Sequence, residues 1–177
     1  VSHGLSGIFI DEMSTETSTL SYYEELYAYI LSKPGLEEVH GNPGMSSEEA
    51  FVSAPATTSL VISENYMSEW PSYSTDSWVN EYDASRFSML VHTASTISEM
   101  QTAIDLAVQR NIGLLYVTDD AMPNPWDMLP TYWQEKVKYI KSLNQGNDSE
   151  EPTFTDIDTN GDGCISEEEF DNASDGN

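Results

Sequence analysis

The sequence predicts an α/β fold built on a parallel sheet, and three observations lead to that prediction. Short apolar runs alternate along the chain with segments whose apolar residues recur at helical spacing. Several of the short runs are continuously apolar, which is typical of strands buried on both faces of a parallel sheet. Strands that alternate with helices indicate parallel pairing through helical crossovers. The length of 177 residues allows one such domain and a short appendage.

Five segments are predicted as strands. They are residues 7–10, 39–42, 59–64, 87–92 and 113–118. Five parallel strands in this arrangement form either a small open sheet or the last five strands of an eight-stranded (β/α)8 barrel. The sequence pattern fits both architectures.

Three helices are predicted from apolar residues that share one face. The first begins near Leu20 and ends before Pro34 and Gly35, since proline and glycine stop helices. The second covers Ile97 to Val108, and the third covers Trp133 to Leu143. These helices supply three of the connections that an α/β fold needs.

Two connections differ from this pattern. Residues 47–56 offer only a short helix, and residues 66–85 are long and aromatic. Connections of that length usually carry function or move. Residues 144–152 have linker composition, so we expect a domain over 1–143 and a separate segment over 153–177.

The charge of the chain excludes one class of partner. The formal net charge is −25, and residues 148–177 contain 11 acidic residues and no Lys or Arg. A protein that binds DNA or RNA needs basic residues to neutralise phosphates, so nucleic acids are not expected as partners. No apolar run is long enough to span a membrane, so membrane insertion is not expected either. Glycosylation patterns at Asn147 and Asn172 favour secretion, whereas the single cysteine, Cys164, does not identify the compartment.

Polar residues follow nearly every predicted strand. They are Asp11, Glu12, Asn42, Glu64, Asn65, His92, Asp119 and Asp120. The carboxyl ends of parallel strands meet at one edge of the sheet, so we expect these side chains to converge there on a ligand site. The alternative is that each residue only marks the point where a strand reaches water.

The spacing of the acids is compatible with glycoside hydrolysis. Acids on strands separated by one other strand lie about 10 Å apart at the backbone, given a strand spacing of ~4.8 Å. Side chains that lean inward would bring the carboxylates to the roughly 5–9.5 Å of a glycosidase pair. Glu64 with Asp11 or Glu12 meets this condition, and a regular strand would aim only one of the latter two into the site.

Aromatic residues are dense near these acids. They are Tyr66, Trp70, Tyr73, Trp78, Tyr82 and Trp126. Such rings suit stacking on sugar faces, and they also serve as buried anchors of a core. Both interpretations are open from the sequence.

Six segments together resemble the spherulation-specific family 4, or spherulin-4-like, proteins. They are residues 7–13, 41–44, 62–65, 87–92, 117–120 and 124–130, within a match over residues 1–143. The resemblance implies a (β/α)8 barrel of which this chain holds the last five β/α units. It also implies a glycoside hydrolase that cuts α-1,4-linked galactosaminogalactan internally, as characterised fungal members do.

The resemblance assigns residues as well. The essential acids of the family match Asp11, Glu12 and Glu64, and no cofactor is implied for catalysis. One carboxylic acid would protonate the leaving oxygen, while a carboxylate attacks the anomeric carbon or activates water. The expected substrate-binding residues are Asn42, Tyr66, His92, Asp119, Asp120 and Trp126.

Residues 158–169 fit the calcium loop of an EF-hand at each diagnostic position. The expected ligands are Asp158, Asn160, Asp162, the main-chain carbonyl of Cys164 and the bidentate Glu169. Gly163 stands where the loop turns sharply. One hand without a second in the chain could pair with the hand of another copy.

Two other function classes compete with the hydrolase. One is a carbohydrate-binding or calcium-responsive interaction protein that performs no catalysis. The other is a metal-dependent hydrolase, because clustered carboxylates repel one another unless a cation compensates them. The metal ligands in that hypothesis are Asp11, Glu12, Glu64, His92, Asp119 and Asp120.

Overall fold

The computed structural model describes residues 4–145, with the side chain of Gln145 excepted. It has five strands, β1 (Gly7–Ile10), β2 (Glu38–Gly41), β3 (Ser59–Tyr66), β4 (Phe87–His92) and β5 (Leu114–Val117). The helices are α1 (Leu20–Leu31), α2 (Ala50–Ser53), α3 (Ile97–Gln109) and α4 (Trp133–Gln145). Short 3-10 turns occur at Thr17–Thr19, Trp70–Ser72, Ser77–Glu81 and Ala84–Arg86. The linker was predicted over residues 144–152, but α4 extends through its first two residues. The rest of that predicted linker and the predicted calcium loop lie outside the described residues.

The chain divides into two compact units, residues 1–136 and residues 137–177. The first unit contains the whole sheet. The described part of the second unit is the last nine residues of α4. No helix of residues 4–145 is long and apolar enough to cross a membrane.

The five strands form one parallel sheet in the order β1-β2-β3-β4-β5. The predicted α/β fold with a parallel sheet is therefore confirmed. Because parallel crossovers are right-handed, an order without reversal places the connecting helices on the same face of the sheet. The two faces consequently differ in what covers them.

The helix-covered face carries the core. Val39, Leu60 and Met89 are fully buried there, as are Met100 and Ala103 of α3. Helix α3 begins at a capping box in which the Thr96 hydroxyl accepts from the Glu99 main-chain N–H while the Glu99 carboxylate accepts from the main-chain N–H of Thr96. This cap and the apolar face of α3 fix where the helix starts and which side packs on the sheet.

Most aromatic residues of the 66–85 connection belong to this packing. Trp70 has no exposed surface, and its indole N–H donates to the carbonyl of Ala103 over 3.0 Å. The Arg110 guanidinium lies 4.2 Å from the Trp70 ring centroid. Trp78 and Tyr82 contact the buried ring of Phe87. Burial therefore removes Trp70 from the candidate sugar-stacking rings.

The opposite face is partly open to water. The register places Phe9 beside His40, and His40 beside Ser59. The His40 Nδ1 atom lies 2.5 Å from the Ser59 hydroxyl. Phe9 is 56% exposed and Leu114, on the far strand, is 41% exposed. This face thus carries apolar side chains that nothing among the described residues fully covers.

Candidate functional site

The ends of β1 and β2 stay paired beyond the regular sheet. The main-chain N–H of Asn42 donates to the carbonyl of Ile10, and the N–H of Met13 donates to the carbonyl of Asn42. The glycine at position 41 permits this close approach of the two segments, because a Cβ atom there would collide with the Met13 sulfur. Asp11 and Asn42 are therefore held side by side at the carboxyl end of the sheet.

Asn42 joins two acids through one amide group. Its Nδ2 atom donates to Asp11 Oδ1 over 2.9 Å and to Glu64 Oε1 over 2.6 Å. Its Oδ1 atom accepts from the main-chain N–H of Gly44 over 2.8 Å. The Gly44 carbonyl in turn accepts from the N–H of Glu64. These bonds fix the orientation of the buried Asn42 side chain and of both carboxylates.

The two acids lie close together. Both hydrogen bonds end on the same nitrogen, so the bonded oxygens are separated by at most the sum of the two lengths, about 5.5 Å. An amide NH2 group offers one hydrogen to each acceptor, which offsets part of the repulsion between the carboxylates. Asp11 is exposed and Glu64 is half-buried, so a ligand can reach this pair.

Glu12 is placed differently from Asp11. Its backbone has a φ of +53°, a left-handed conformation that residues with a Cβ rarely adopt. The turn leaves Glu12 exposed, and no described residue hydrogen bonds to its carboxylate. Of the two consecutive acids, Asp11 is the one that meets Glu64 across Asn42.

A row of aromatic rings begins beside Glu64. The ring centroids of Tyr66 and His92 are 4.2 Å apart, those of His92 and Trp126 are 5.6 Å apart, and those of Trp126 and Tyr116 are 6.1 Å apart. Tyr66 is 46% exposed and Trp126 is half-buried. Tyr116 is absent from the sequence-based predictions, although its alternation with buried Val117 could have indicated that it faces away from the helices.

His92 is the buried member of this row. Burial lowers its pKa below the ordinary value of 6.5, while the charge of Glu64 acts in the opposite direction. Its Nδ1 atom lies 2.8 Å from the hydroxyl of Thr93. Thr93 has a φ of +60°, which is costly for a β-branched residue and recurs at functional sites. The Thr93 hydroxyl therefore helps to orient an imidazole that burial keeps mostly neutral at pH 7.

The carboxylates after β5 are used differently. Asp119 Oδ1 accepts from the main-chain N–H of Thr131 over 3.0 Å, and Asp119 Oδ2 accepts from the Thr131 hydroxyl. Burial raises the pKa of Asp119, but these hydrogen bonds outweigh it and leave the pKa lowered. Asp120 accepts from the N–H of Ala121. Neither acid contacts the Asp11 and Glu64 pair, and their role in substrate binding stays a prediction.

The described residues do not assemble a metal centre. Within residues 4–145, no three His, Cys, Asp or Glu side chains are placed to hold a metal ion. The amide of Asn42 stands between the two acids that the metal-dependent hypothesis would join through an ion. The geometry therefore does not support that hypothesis. The five predicted calcium ligands lie outside the described residues.

Comparison with known proteins gives three findings. Residues 2–140 match the family described as spherulation-specific family 4. The chain is 28% identical over 149 residues to spherulin-4 of Physarum polycephalum, a match that covers 80% of this chain and 44% of that protein. Its fold is similar to the crystal structure of Aspergillus clavatus Sph3 in complex with GalNAc, with a TM-score of 0.63 and 18% identity.

The matches cover only part of each relative. The structural match covers 77% of this chain and 56% of the Sph3 chain, and at 18% identity it shows a shared fold. The chain thus spans about half the length of the relatives it matches.

Proposed function

Because this chain belongs to spherulation-specific family 4, we propose that it forms the catalytic part of a glycoside hydrolase with Asp11 and Glu64 as its paired carboxylates. One observation carries the proposal: the Asn42 amide donates to both acids and holds them at the carboxyl end of the parallel sheet. Glycosidases need two carboxyl groups that flank the scissile bond. Catalytic groups of barrel folds also sit at this end of the strands.

The spacing of the pair favours a retaining reaction. The bonded oxygens are at most about 5.5 Å apart, which is below the roughly 6.5–9.5 Å that leaves room for the water of an inverting enzyme and is compatible with a retaining one. One carboxylic acid protonates the glycosidic oxygen while the other carboxylate bonds to the anomeric carbon. In the second step the first residue, now a base, takes a proton from the water that releases the sugar.

The aromatic row is the proposed sugar platform. Tyr66 and Trp126 present rings of the kind that stack on pyranose faces. A mostly neutral His92 between them can exchange hydrogen bonds with sugar hydroxyls without adding charge. The similar Sph3 structure contains GalNAc. We therefore expect a glycan with N-acetylgalactosamine units as the substrate, as the family resemblance implies for galactosaminogalactan.

The proposal includes a closed barrel. Three features fit five consecutive units of a (β/α)8 barrel. The strands follow one another in parallel order, and the two edge strands of the sheet have no further partner within residues 4–145. One face of the sheet is open, with exposed Phe9 and Leu114. The remaining strands would come from chain outside this sequence. Glu12 would then shape the charge of a completed site. An extracellular location suits a polysaccharide substrate.

The test is cleavage of an N-acetylated α-1,4-galactosamine oligosaccharide by a protein that contains this chain and the additional β/α units. Glu64→Gln and Asp11→Asn keep the shape of each side chain and should each lower the rate at least about 10³-fold, because the amides cannot ionise. Glu69→Gln is the matched control, since Glu69 is exposed in the connection that follows β3 and, among the described residues, only its main-chain N–H and carbonyl are hydrogen bonded. Rates within twofold for all three variants would refute the assignment.

A second candidate function is glycan binding without cleavage. The exposed ring of Tyr66 favours it, because a binding platform needs no acid pair. Calorimetry with the same oligosaccharide separates the two candidates. A wild-type protein that binds the sugar and releases no product would favour the binding function.

We also propose that residues 158–169 bind one calcium ion, on the strength of their sequence. Glu169→Gln should weaken calcium binding most because it removes the bidentate carboxylate. Cys164→Ala should change little because only its carbonyl would coordinate. Calorimetry on the whole chain tests this, and equal effects of the two substitutions would contradict it. Calcium-dependent dimers in sedimentation would indicate that two copies pair their hands.

A further inference from the structure

His92, the imidazole of the aromatic row, has one ring nitrogen engaged and one free. The side chain is 5% exposed, and its Nδ1 atom lies 2.8 Å from the Thr93 hydroxyl. The Nε2 atom has no hydrogen-bond partner among residues 4–145. Only Ser47 Oγ and Arg86 Nε, among the side-chain atoms of that range, are both fully buried and without a partner. The small exposed part of His92 therefore includes Nε2, and a ligand can reach this atom.

The Thr93 hydroxyl determines which ring nitrogen carries the proton. The fold holds Thr93 at a φ of +60° through hydrogen bonds from its main-chain N–H to the Asp120 carbonyl and from the next N–H to the Thr118 carbonyl. If Nδ1 carried the proton, the hydroxyl hydrogen would have no acceptor among the described residues. The hydroxyl therefore donates to Nδ1, and the single proton of the neutral ring is on Nε2.

The surroundings of this donor are aromatic. The ring centroid of Tyr66 lies 4.2 Å from that of His92, and the centroid of Trp126 lies 5.6 Å from it on another element. Tyr66 is 46% exposed and Trp126 is half-buried, so both rings also offer surface to a ligand. One donor beside apolar ring surface fits a chemical group that combines one acceptor with an apolar part.

An acetamido group has this combination. Its carbonyl oxygen accepts a hydrogen bond, and its methyl group can cover the surface of an aromatic ring. A hydroxyl group supplies the acceptor without the methyl group. A ligand that covers His92 removes the Nε2–H group from water, and a donor left unpaired in that way is costly. The ligand must therefore place an acceptor at this point.

We propose that His92 is a specificity-determining residue that recognises the acetamido group of a sugar unit bound beside the acid pair, with Thr93 as its positioning residue. The proposal rests on the proposed function, because it assumes a glycan at that pair. The Nε2–H group donates to the acetyl oxygen, and the rings of Tyr66 and Trp126 contact the methyl group. The site thereby distinguishes N-acetylated sugar units from units that carry a hydroxyl group on the same carbon.

The first experiment locates the proton on the ring. Nitrogen-15 spectra of the whole 177-residue chain at about pH 7.5 distinguish a protonated from an unprotonated ring nitrogen. The chain has three histidines, and the signals that disappear in His92→Phe belong to His92. We expect an unprotonated Nδ1 and a protonated Nε2. A proton on Nδ1 would overturn the proposal, whatever the protein binds.

The second experiment measures recognition with two uncharged probes. They are an α-1,4-linked N-acetylgalactosamine tetrasaccharide and the corresponding galactose tetrasaccharide, in which hydroxyl groups replace the acetamido groups. Calorimetry uses the protein of the cleavage test with Asp11→Asn, so that the probes stay intact. The acetylated probe should bind at least about tenfold more tightly, as one hydrogen bond and a methyl contact allow. Equal affinities would overturn the recognition and leave the proposed function standing, whereas the absence of binding by either probe would remove both.

Substitutions in the same protein assign the preference to its residues. His92→Phe keeps a flat ring beside Tyr66 and Trp126 and removes the donor, so the preference should fall to about threefold or less. Thr93→Val removes the hydroxyl at nearly constant shape and should reduce the preference at least about threefold, whereas Thr93→Ser keeps the hydroxyl and should stay within about twofold of the unsubstituted preference. An unchanged preference in His92→Phe would refute the role of His92. Equal losses in the two Thr93 variants would refute the positioning role of Thr93.

Discussion

The two halves of the strand-end surface carry the same residue types and use them differently. In the half after β1, β2 and β3, Asp11 and Glu64 share the amide of Asn42, and each keeps one oxygen without a partner among the described residues. In the half after β5, both oxygens of Asp119 are engaged by Thr131. An acid at a strand end is therefore available for chemistry only where the surrounding main chain leaves it free.

The difference has a local cause. The bonds from Asn42 are side chain to side chain, and they orient the acids without enclosing them. The bonds to Asp119 tie the end of β5 to the segment before α4, which is a structural task. We therefore expect substitutions in the first half to change activity, and substitutions in the second half to change stability.

Asn42→Asp, in the half of the surface that follows β1, β2 and β3, should have the largest effect on stability. It replaces the shared donor with a third carboxylate within hydrogen-bond distance of Asp11 and Glu64. Like charges at that distance should lower the free energy of unfolding by about 3–4 kcal/mol at pH 7. Urea unfolding at pH 7 measures the change, and a loss no larger than that of the control would contradict the role of Asn42 as shared donor. Asn80→Asp, at an exposed position, is the control.

Lys136→Met should have a somewhat smaller effect of the opposite sign. Lys136 is 3% exposed beside the end of β5, where its ammonium contacts the Val117 carbonyl and the rings of Tyr116 and Trp133. Burial lowers its pKa from 10.5 to about 8. At pH 7 the charge in the folded state costs about 3 kcal/mol, so the variant should be about 1–3 kcal/mol more stable after loss of those contacts.

The pH dependence checks the sign of this prediction. The folded state binds the Lys136 proton less tightly than the unfolded chain, so wild-type stability should rise with pH from about 8 towards 10.5. The advantage of the variant should therefore be full below about pH 8 and smaller at about pH 9.5. Lys138→Met, an exposed position on α4, should show neither change. An equal advantage at both pH values would contradict the desolvation account.

Asp119→Ala should produce the smallest change. It removes two hydrogen bonds to Thr131 and should lower the free energy of unfolding by about 1–2 kcal/mol at pH 7. Because the pKa of Asp119 is lowered in the folded state, the loss should be complete above the ordinary value of 3.8 and should fade below it. Urea unfolding at neutral and acid pH checks this. Unchanged stability at pH 7 would mean that the two hydrogen bonds from Thr131 to Asp119 do not contribute to stability.

The parallel fold could be predicted from the sequence, because strand and helix patterns depend on local spacing. All five predicted strands begin within one residue of their observed start, and 59–64 and 87–92 begin at the same residue. The convergence of Asp11 with Glu64 also follows from strand topology. The hydrogen-bond partner of each acid could not be predicted in this way. Asp119 bonds to Thr131, twelve positions later, and the path of the loop between them leaves no periodic pattern in the sequence.

The roles of the aromatic residues also could not be predicted from the sequence alone. The composition of residues 66–85 indicates either a binding surface or an anchor. Only tertiary packing separates the buried Trp70 from the exposed Tyr66, because α3 covers one and not the other. The surface depression lined by Glu16, Glu48 and Asp76 was not predicted either, since its walls come from three connections that are distant in sequence.

The most direct test of the central claim measures cleavage and unfolding together for Glu64→Gln and Asp119→Ala, in the protein that includes the further β/α units. The account predicts that each variant changes mainly one of the two quantities. Glu64→Gln should lose at least about 10³-fold in cleavage rate and less than about 1 kcal/mol in stability, while Asp119→Ala should lose stability and keep its rate within about threefold per folded molecule. A Glu64→Gln variant that retains near wild-type cleavage would contradict the assignment of the Asn42-bridged pair as the catalytic centre.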